Sequence, residues 1–74
     1  MNGARSASEL IAILVDRRRR LALTQADVGN TIDAAASEVG RWEIGDRMPQ
    51  VETLIRWAAA LGGKVQIVFT EGGP

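Results

Sequence analysis

Apolar residues recur every three or four positions along residues 8–61, and this spacing predicts a series of short helices. The first helix is expected to start after a serine cap, Ser6 or Ser8, and to run to about Leu21. Its apolar stripe consists of Leu10, Leu14 and Leu21, with Ile11 and Ile13 beside them. The last helix is expected over residues 51–61, before a pair of glycines. Its stripe consists of Val51, Leu54, Trp57, Ala58 and Leu61.

Two further short helical patterns lie in residues 24–45, separated by a break at 33–35. Their inward stripes are Val28 and Ile32 on the first pattern and Val39 and Trp42 on the second. Gly29 is small enough to let two helices cross at a steep angle. The segment therefore predicts a helix-turn-helix, in which the outer face of the second helix is free to enter a DNA major groove.

The ends of these two helices carry their own signals. Thr24 followed by Asp27 is typical of a capping box. Asp33 is one of the few residue types that tolerate the left-handed backbone that the turn requires. The second motif helix is expected over residues 36–44, with its end at Gly45.

The C-terminal segment has a different pattern, because apolar and polar residues alternate along KVQIVFT at 64–70. Alternation with many β-branched residues predicts a strand, yet the chain contains no second strand to pair with it. An antiparallel ribbon with the same strand of a second subunit would satisfy its backbone, with Val65, Ile67, Val68 and Phe69 at the interface. The alternative is a tail packed irregularly on its own helices. We therefore assign residues 1–63 to a helix-turn-helix domain and 64–74 to dimerisation.

Composition excludes several kinds of chemistry. The 74-residue chain has the length of one domain and contains no Cys and no His, so neither a zinc or disulfide site nor thiol or imidazole catalysis is expected. We expect no cofactor, no metal and no enzymatic activity. The apolar run LIAILV at 10–15 is far too short to span a membrane, which favours a soluble, cytoplasmic protein.

Charge alone does not indicate a DNA-binding protein, because nine Lys and Arg are balanced by nine Asp and Glu. Four of the cations form the run at 17–20, and Arg41 and Arg47 bracket the end of the second motif helix. Together they could form one basic face. Alternatively, the arginine run is simply the solvated last turn of a helix, where the helix dipole favours cations.

The segment LTQADVGNTIDAAASEVGRWEIGDRMPQVETLIRWAAALGG resembles the XRE family of helix-turn-helix regulators, the group that contains the phage repressor and Cro proteins. The resemblance covers about residues 8–63 and is most specific at LTQ, RWE and the ALGG ending. It implies an all-α fold, a compact bundle of four to five short helices. The strand after ALGG resembles HipB-type antitoxins, in which such a strand joins two subunits.

The resemblance also implies functional residues. The base-contacting positions of the second motif helix correspond to Ala36, Ser37, Glu38 and Arg41. Contacts to DNA phosphates are implied for Thr24, Gln25, Arg19 and Arg47. Arg41 could bind a guanine edge or a phosphate, and Glu38 could accept from cytosine or repel the backbone. Gln25 could equally be a simple polar residue at the start of its helix.

The resemblance further pairs Arg18 with Glu43 in an ion pair that fixes the angle of the second motif helix. The chain departs from the family pattern at Asp33, Ala34 and Ala35 in the turn, and at Gly40 within the helix. The missing cap and the glycine should loosen that helix.

We therefore expect a sequence-specific transcriptional regulator, a repressor that binds an inverted-repeat operator in double-stranded DNA as a homodimer. The alternative is an antitoxin-like module that neutralises a toxin or a partner regulator, with DNA binding secondary. The neutral charge, Gly40 and the apolar strand favour this alternative.

Overall fold

The fold is a bundle of four short α-helices, seen in a computed structural model that describes residues 3–69. The helices, in chain order, are α1 Ala7–Arg20, α2 Gln25–Ile32, α3 Ala36–Glu43 and α4 Val51–Ala60. Their bounds confirm the expected all-α class, and the three expected C-terminal ends lie one residue beyond the observed ones. None of these four helices has both the length and the hydrophobicity needed to cross a bilayer.

The core forms where the apolar stripes of all four helices meet. Its buried members are Ile11, Leu14, Val28, Ile32, Val39, Trp42, Leu54, Trp57, Ala58 and Leu61. At its centre the rings of Trp42 and Trp57 lie 5.8 Å apart at an angle of 40°. Trp42 is thus a core residue, as its spacing from Val39 indicates. The Trp57 indole N–H is buried and has no hydrogen-bond partner within residues 3–69.

The burial of three apolar residues differs from what the stripes predict. Ile11, expected beside the stripe, is buried, whereas Leu21 is the C-cap of α1 and is exposed. Val51 is 69% exposed because it is the first residue of α4 and extends beyond the core. The periodicity identifies the inward face correctly, but the ends of that face lie outside the packed layer.

Each of the four helices is followed, within one or two residues, by a residue with left-handed backbone: Ala22, Asp33, Gly45 and Gly62. After α1 the backbone N–H of Leu23 donates to the carbonyl of Arg18 at 3.1 Å, which satisfies a carbonyl of the last turn. Asp33 adopts the expected conformation, with φ 61° and ψ 50°. No residue pattern indicates this conformation at Ala22, whose φ of 58° is costly for a residue with a Cβ.

Gly29 permits the tight helix-turn-helix, as its size predicts. A Cβ at this position would lie 2.3 Å from the carbonyl oxygen of Ala34 in the turn. That oxygen belongs to the backbone and cannot move without changing the angle between α2 and α3. The turn itself is held by the N–H of Ala34, which donates to the carbonyl of Gly29 at 2.8 Å.

The C-terminal segment has no regular secondary structure over residues 63–69 in the single chain. Ile67 and Phe69 are 81% and 90% exposed, and Val65 is more covered. An open groove of about 780 Å³ lies between this segment and α1, with Leu10, Ile13 and Val65 in its lining. The expected pairing needs a second copy of the chain, so the strand stays a prediction; residues 70–74 lie outside the described part.

Candidate nucleic-acid interface

Helix α3 presents one polar side to solvent. Ala36, Ser37 and Arg41 are exposed and Glu38 is half-buried, whereas Val39 and Trp42 on the opposite side are buried in the core. Because the apolar side fixes the rotation of the helix, Ser37 and Arg41 lie together on its outer surface, with Ala36 at one edge of that surface and Glu38 at the other. An exposed polar helix face of this kind has the shape and the donors to enter a major groove.

The N-terminus of α3 lacks a side-chain cap, as the alanine at Ala35 predicts. The amides of Glu38 and Val39 donate to the carbonyl of Ala35 at 3.0 and 3.1 Å. Within the described chain, the amides of Ala36 and Ser37 have no acceptor, so they are available to an anion at this helix end.

Glu38 faces Arg47 rather than standing alone on this surface. The Arg47 Nε and a Glu38 carboxylate oxygen are 3.9 Å apart, and the side chains are 60% and 37% exposed. A pair at this distance and exposure is weak, so either partner can exchange it for a contact with DNA. The structure thus places Arg47 next to the exposed side of α3, on the loop that follows this helix.

The N-terminus of α2 lies at the edge of the same surface and carries the expected capping box. The amide of Asp27 donates to the Thr24 hydroxyl oxygen at 3.0 Å, and the amide of Thr24 donates to the Asp27 carboxylate at 2.8 Å. Hydrogen bonding with Thr24, above all the bond from its backbone amide, lowers the pKa of Asp27. The amides of Gln25 and Ala26 have no acceptor among residues 3–69.

Gln25, at the first position of α2, makes a contact that the sequence did not indicate. Its side-chain Nε2 donates to the Glu43 carboxylate at 3.0 Å, and the side chain is half-buried. The amide nitrogen carries two hydrogens, so one donor remains after this bond. Gln25 therefore connects the start of α2 to the end of α3.

The expected ion pair between Arg18 and Glu43 is present and shielded. Arg18 Nε and Nη2 donate to the two Glu43 oxygens at 2.6 and 2.9 Å, and the side chains are only 11% and 5% exposed. Arg18 Nη1 also donates to the carbonyl of Leu23 at 2.8 Å. One guanidinium thus joins α1, the turn before α2 and the end of α3.

The protonation of Glu43 reflects two opposing effects. Burial alone would raise the pKa of Glu43, but hydrogen bonds from Arg18 and Gln25, together with the charges of Arg18 and Arg19, outweigh it and lower the pKa. The hydrogen bond to Glu43 raises the pKa of Arg18 against the effect of burial. Both groups are therefore held in their charged forms, and the angle of α3 is fixed by a charged network.

The arginine run does not form a single basic face, contrary to one of the two interpretations of the sequence. Arg17 Nε donates to the carbonyl of Leu61 at 3.3 Å and so caps α4, while Arg18 is committed to Glu43. Arg20 pairs with Asp16 at 2.7 Å on the surface. Successive helical residues point 100° apart, which sends neighbouring charges to different partners. Arg19 is exposed, and its charge acts on Glu43.

One further arginine, Arg56, has a role that sequence reasoning missed. Arg56 Nη2 donates to the carbonyl of Ile32 at 2.9 Å, so α4 caps the C-terminus of α2. Like the contact of Arg17, this bond joins residues far apart in the chain, and no local pattern indicates it.

Among residues 3–69 no group of three or more His, Cys, Asp or Glu side chains is placed to hold a metal ion.

Comparison with known proteins identifies the family of this chain. The helix-turn-helix family model matches residues 14–68, which include the second half of α1, the whole motif and all of α4. No curated protein and no solved structure matches the chain significantly. The matched family consists of DNA-binding regulators and is not a family of enzymes. Since the match covers well over half of the chain, the protein belongs to the XRE family of helix-turn-helix DNA-binding regulators.

Proposed function

We propose that the protein is a repressor that binds an inverted-repeat operator as a homodimer and reads bases with α3. The observation that supports this most directly is the exposed polar side of α3, held outward by the buried Val39 and Trp42. On that side Arg41 is the residue suited to a bidentate contact with guanine O6 and N7. Ser37 would reach a base or a phosphate, and the Ala36 methyl would contact the methyl group of a thymine.

Phosphate contacts would flank the exposed side of α3, which we call the reading surface, on both sides. At the start of α2, the hydroxyl of Thr24, the Gln25 amide and two backbone N–H groups would receive one phosphate. Arg19, exposed near the end of α3, and Arg47, in the loop after α3, would hold others. Glu38 would either accept from a cytosine amino group or keep Arg47 in place until DNA binds.

Dimerisation through the C-terminal segment completes this proposal. The reading surface of one subunit offers few polar side chains, and two copies on adjacent half-sites multiply their specificity. Val65, Ile67, Val68 and Phe69 would form the interface as an antiparallel ribbon. Their exposure in the single chain and the lack of a strand partner within the described residues support this arrangement. Since its ligand is DNA, we place the dimer in the cytoplasm.

Selection of binding sites from a random duplex library tests the DNA-reading role. The selected sites should be inverted repeats, and Arg41→Ala should lower affinity for them by about 10- to 100-fold per half-site, while binding to random DNA changes little. Arg20→Ala is the matched control, because it removes the same charge from an exposed pair with Asp16. An Arg41→Ala variant that still discriminates its site from random DNA removes Arg41 from the reading surface.

Analytical ultracentrifugation tests the dimer. Deletion of residues 64–74 should convert a dimer into a monomer without loss of helical circular dichroism. A truncated chain that still sediments as a dimer would show that the subunits associate through the helices.

A second candidate function is an antitoxin-like role in which binding to a toxin or a partner regulator is the main task. The exposed apolar residues Ile44, Met48, Ile67 and Phe69, together with the neutral charge, favour it. Gel-shift titration at low salt, with DNA from upstream of the coding region, separates the two functions. No shift under conditions in which phosphate contacts are strongest would leave only the protein-binding role.

A further inference from the structure

Gly40 occupies the middle of α3, although glycine is the poorest helix former after proline. It is half-buried and faces the start of α2. A Cβ added at Gly40 would lie 3.2 Å from Oε1, 3.5 Å from Nε2 and 3.6 Å from Cδ of Gln25. The Oε1 atom of Gln25 is therefore closer than an ordinary contact with such a Cβ allows, whereas Nε2 and Cδ would lie in ordinary contact with it.

A movement of the Gln25 amide away from Gly40 would disturb the hydrogen bond that the amide donates to Glu43. Its Nε2 donates to Glu43 at 3.0 Å, and Glu43 is fixed in turn by two hydrogen bonds from Arg18. A Cβ at Gly40 is close enough to displace the amide by a few tenths of an ångström. Because Glu43 is held by the guanidinium, the displacement would lengthen or bend the bond between Gln25 and Glu43.

The bond to Glu43 also decides where the remaining N–H of Gln25 points. An amide group is planar, so fixing one of its two N–H bonds fixes the direction of the other. Gln25 is the first residue of α2, beside backbone amides of Gln25 and Ala26 that have no acceptor within the described chain. These donors lie at a helix N-terminus, where the dipole attracts an anion.

We propose that Gly40 is a positioning residue for DNA binding: its missing side chain lets the Gln25 amide lock onto Glu43 and hold its second N–H toward a DNA phosphate. The inference rests on the proposed function, in which the N-terminus of α2 contacts the DNA backbone. The glycine thus lowers the helix propensity of α3, but it allows the Gln25 amide to be oriented toward the phosphate.

The first test needs no DNA. In the free protein, Gly40→Ala should shift the side-chain amide resonances of Gln25 in a ¹H–¹⁵N spectrum, because the hydrogen bond to Glu43 is distorted. Gly63→Ala is the matched control, since a Cβ there meets its nearest neighbour, the carbonyl of Ala58, at an ordinary 3.5 Å. Gln25 resonances that respond no more to Gly40→Ala than to Gly63→Ala would overturn the inference.

The second test measures affinity for a mixed-sequence duplex at several salt concentrations, since a phosphate contact does not depend on sequence. Gly40→Ala and Gln25→Ala should each weaken binding about tenfold, the value of one hydrogen bond to a charged group. The salt dependence should stay unchanged, because the Gln25 amide carries no charge. The double variant should bind no more weakly than Gln25→Ala alone.

The outcomes separate this inference from the proposed function. Losses that multiply to about 100-fold in the double variant would show that Gly40 and Gln25 act independently, and would overturn the inference alone. A wild-type protein that binds no duplex at low salt would overturn the proposed function as well.

Discussion

The shielded pair between Arg18 and Glu43 gives the sharpest prediction for stability. Glu43→Gln keeps the shape of the side chain, but its NH₂ group must face a guanidinium donor and the Arg18 charge loses its partner. Breaking one side of such a pair costs about 3 kcal/mol or more. A 74-residue domain has about 4–11 kcal/mol of stability in total, so the variant loses a large share of it. At roughly 4–8 °C per kcal/mol, Tm should fall by about 12–24 °C.

Thermal and urea unfolding followed by circular dichroism measure this loss. All variants must be compared at one protein concentration, because association of subunits raises Tm by mass action. Asp16→Asn is the matched control: it breaks the exposed pair with Arg20, 2.7 Å long, and should cost less than about 0.5 kcal/mol. If Glu43→Gln costs no more than Asp16→Asn, the pair does not hold the bundle together.

The pH dependence gives an independent check. The folded state lowers the pKa of Glu43 below its ordinary value of 4.5, so the unfolded chain takes up this proton first as the pH falls. The stabilisation by Glu43 is therefore complete above pH about 4.5 and is lost as the pH falls through the lower, folded pKa. Acidification should bring the wild type closer to Glu43→Gln in stability. A difference that is as large at pH 3 as at pH 7 would contradict the assigned ionisation.

Three substitutions test the backbone geometry by their effect on Tm. Ala22→Gly should stabilise the protein by about 0.5–1 kcal/mol, since it relieves a φ of 58°; a lower Tm would refute the assigned strain. Gly29→Ala should cost about 2–3 kcal/mol, because its Cβ would lie 2.3 Å from the carbonyl oxygen of Ala34, and a Tm near that of the wild type would contradict this clash. Ala35→Ser should add about 1 kcal/mol by capping α3, and an unchanged Tm would mean that no cap forms.

Sequence reasoning predicted the features that depend on local chemistry. The helices, the capping box at Thr24 and the left-handed turn at Asp33 follow from residues a few positions apart, whose interactions are the same in any fold. The exposure of Leu21 and Val51 was predicted wrongly, because periodicity gives the direction of a helix face but not the extent of the core that covers it.

The network at the interface could not be derived from local patterns. The pair between Arg18 and Glu43 spans 25 positions and was expected only from the family resemblance. The bond from Gln25 to Glu43 and the space left by Gly40 depend on how closely α2 and α3 approach each other. For this reason the sequence alone indicates only that Gly40 destabilises α3. In the structure, Gly40 leaves space for the side chain of Gln25.

The distribution of charge affects how occupancy of the target site depends on the amount of the protein. Arg18, Arg20 and Arg47 each face a carboxylate, and nine Lys and Arg are balanced by nine Asp and Glu over the whole chain, so the net attraction of the protein to DNA phosphates is small. We therefore expect random genomic sequence to sequester little of the protein. On the proposed function, occupancy of the target site should then follow the rate of synthesis closely. Modest changes in expression would then be enough to switch the regulated gene.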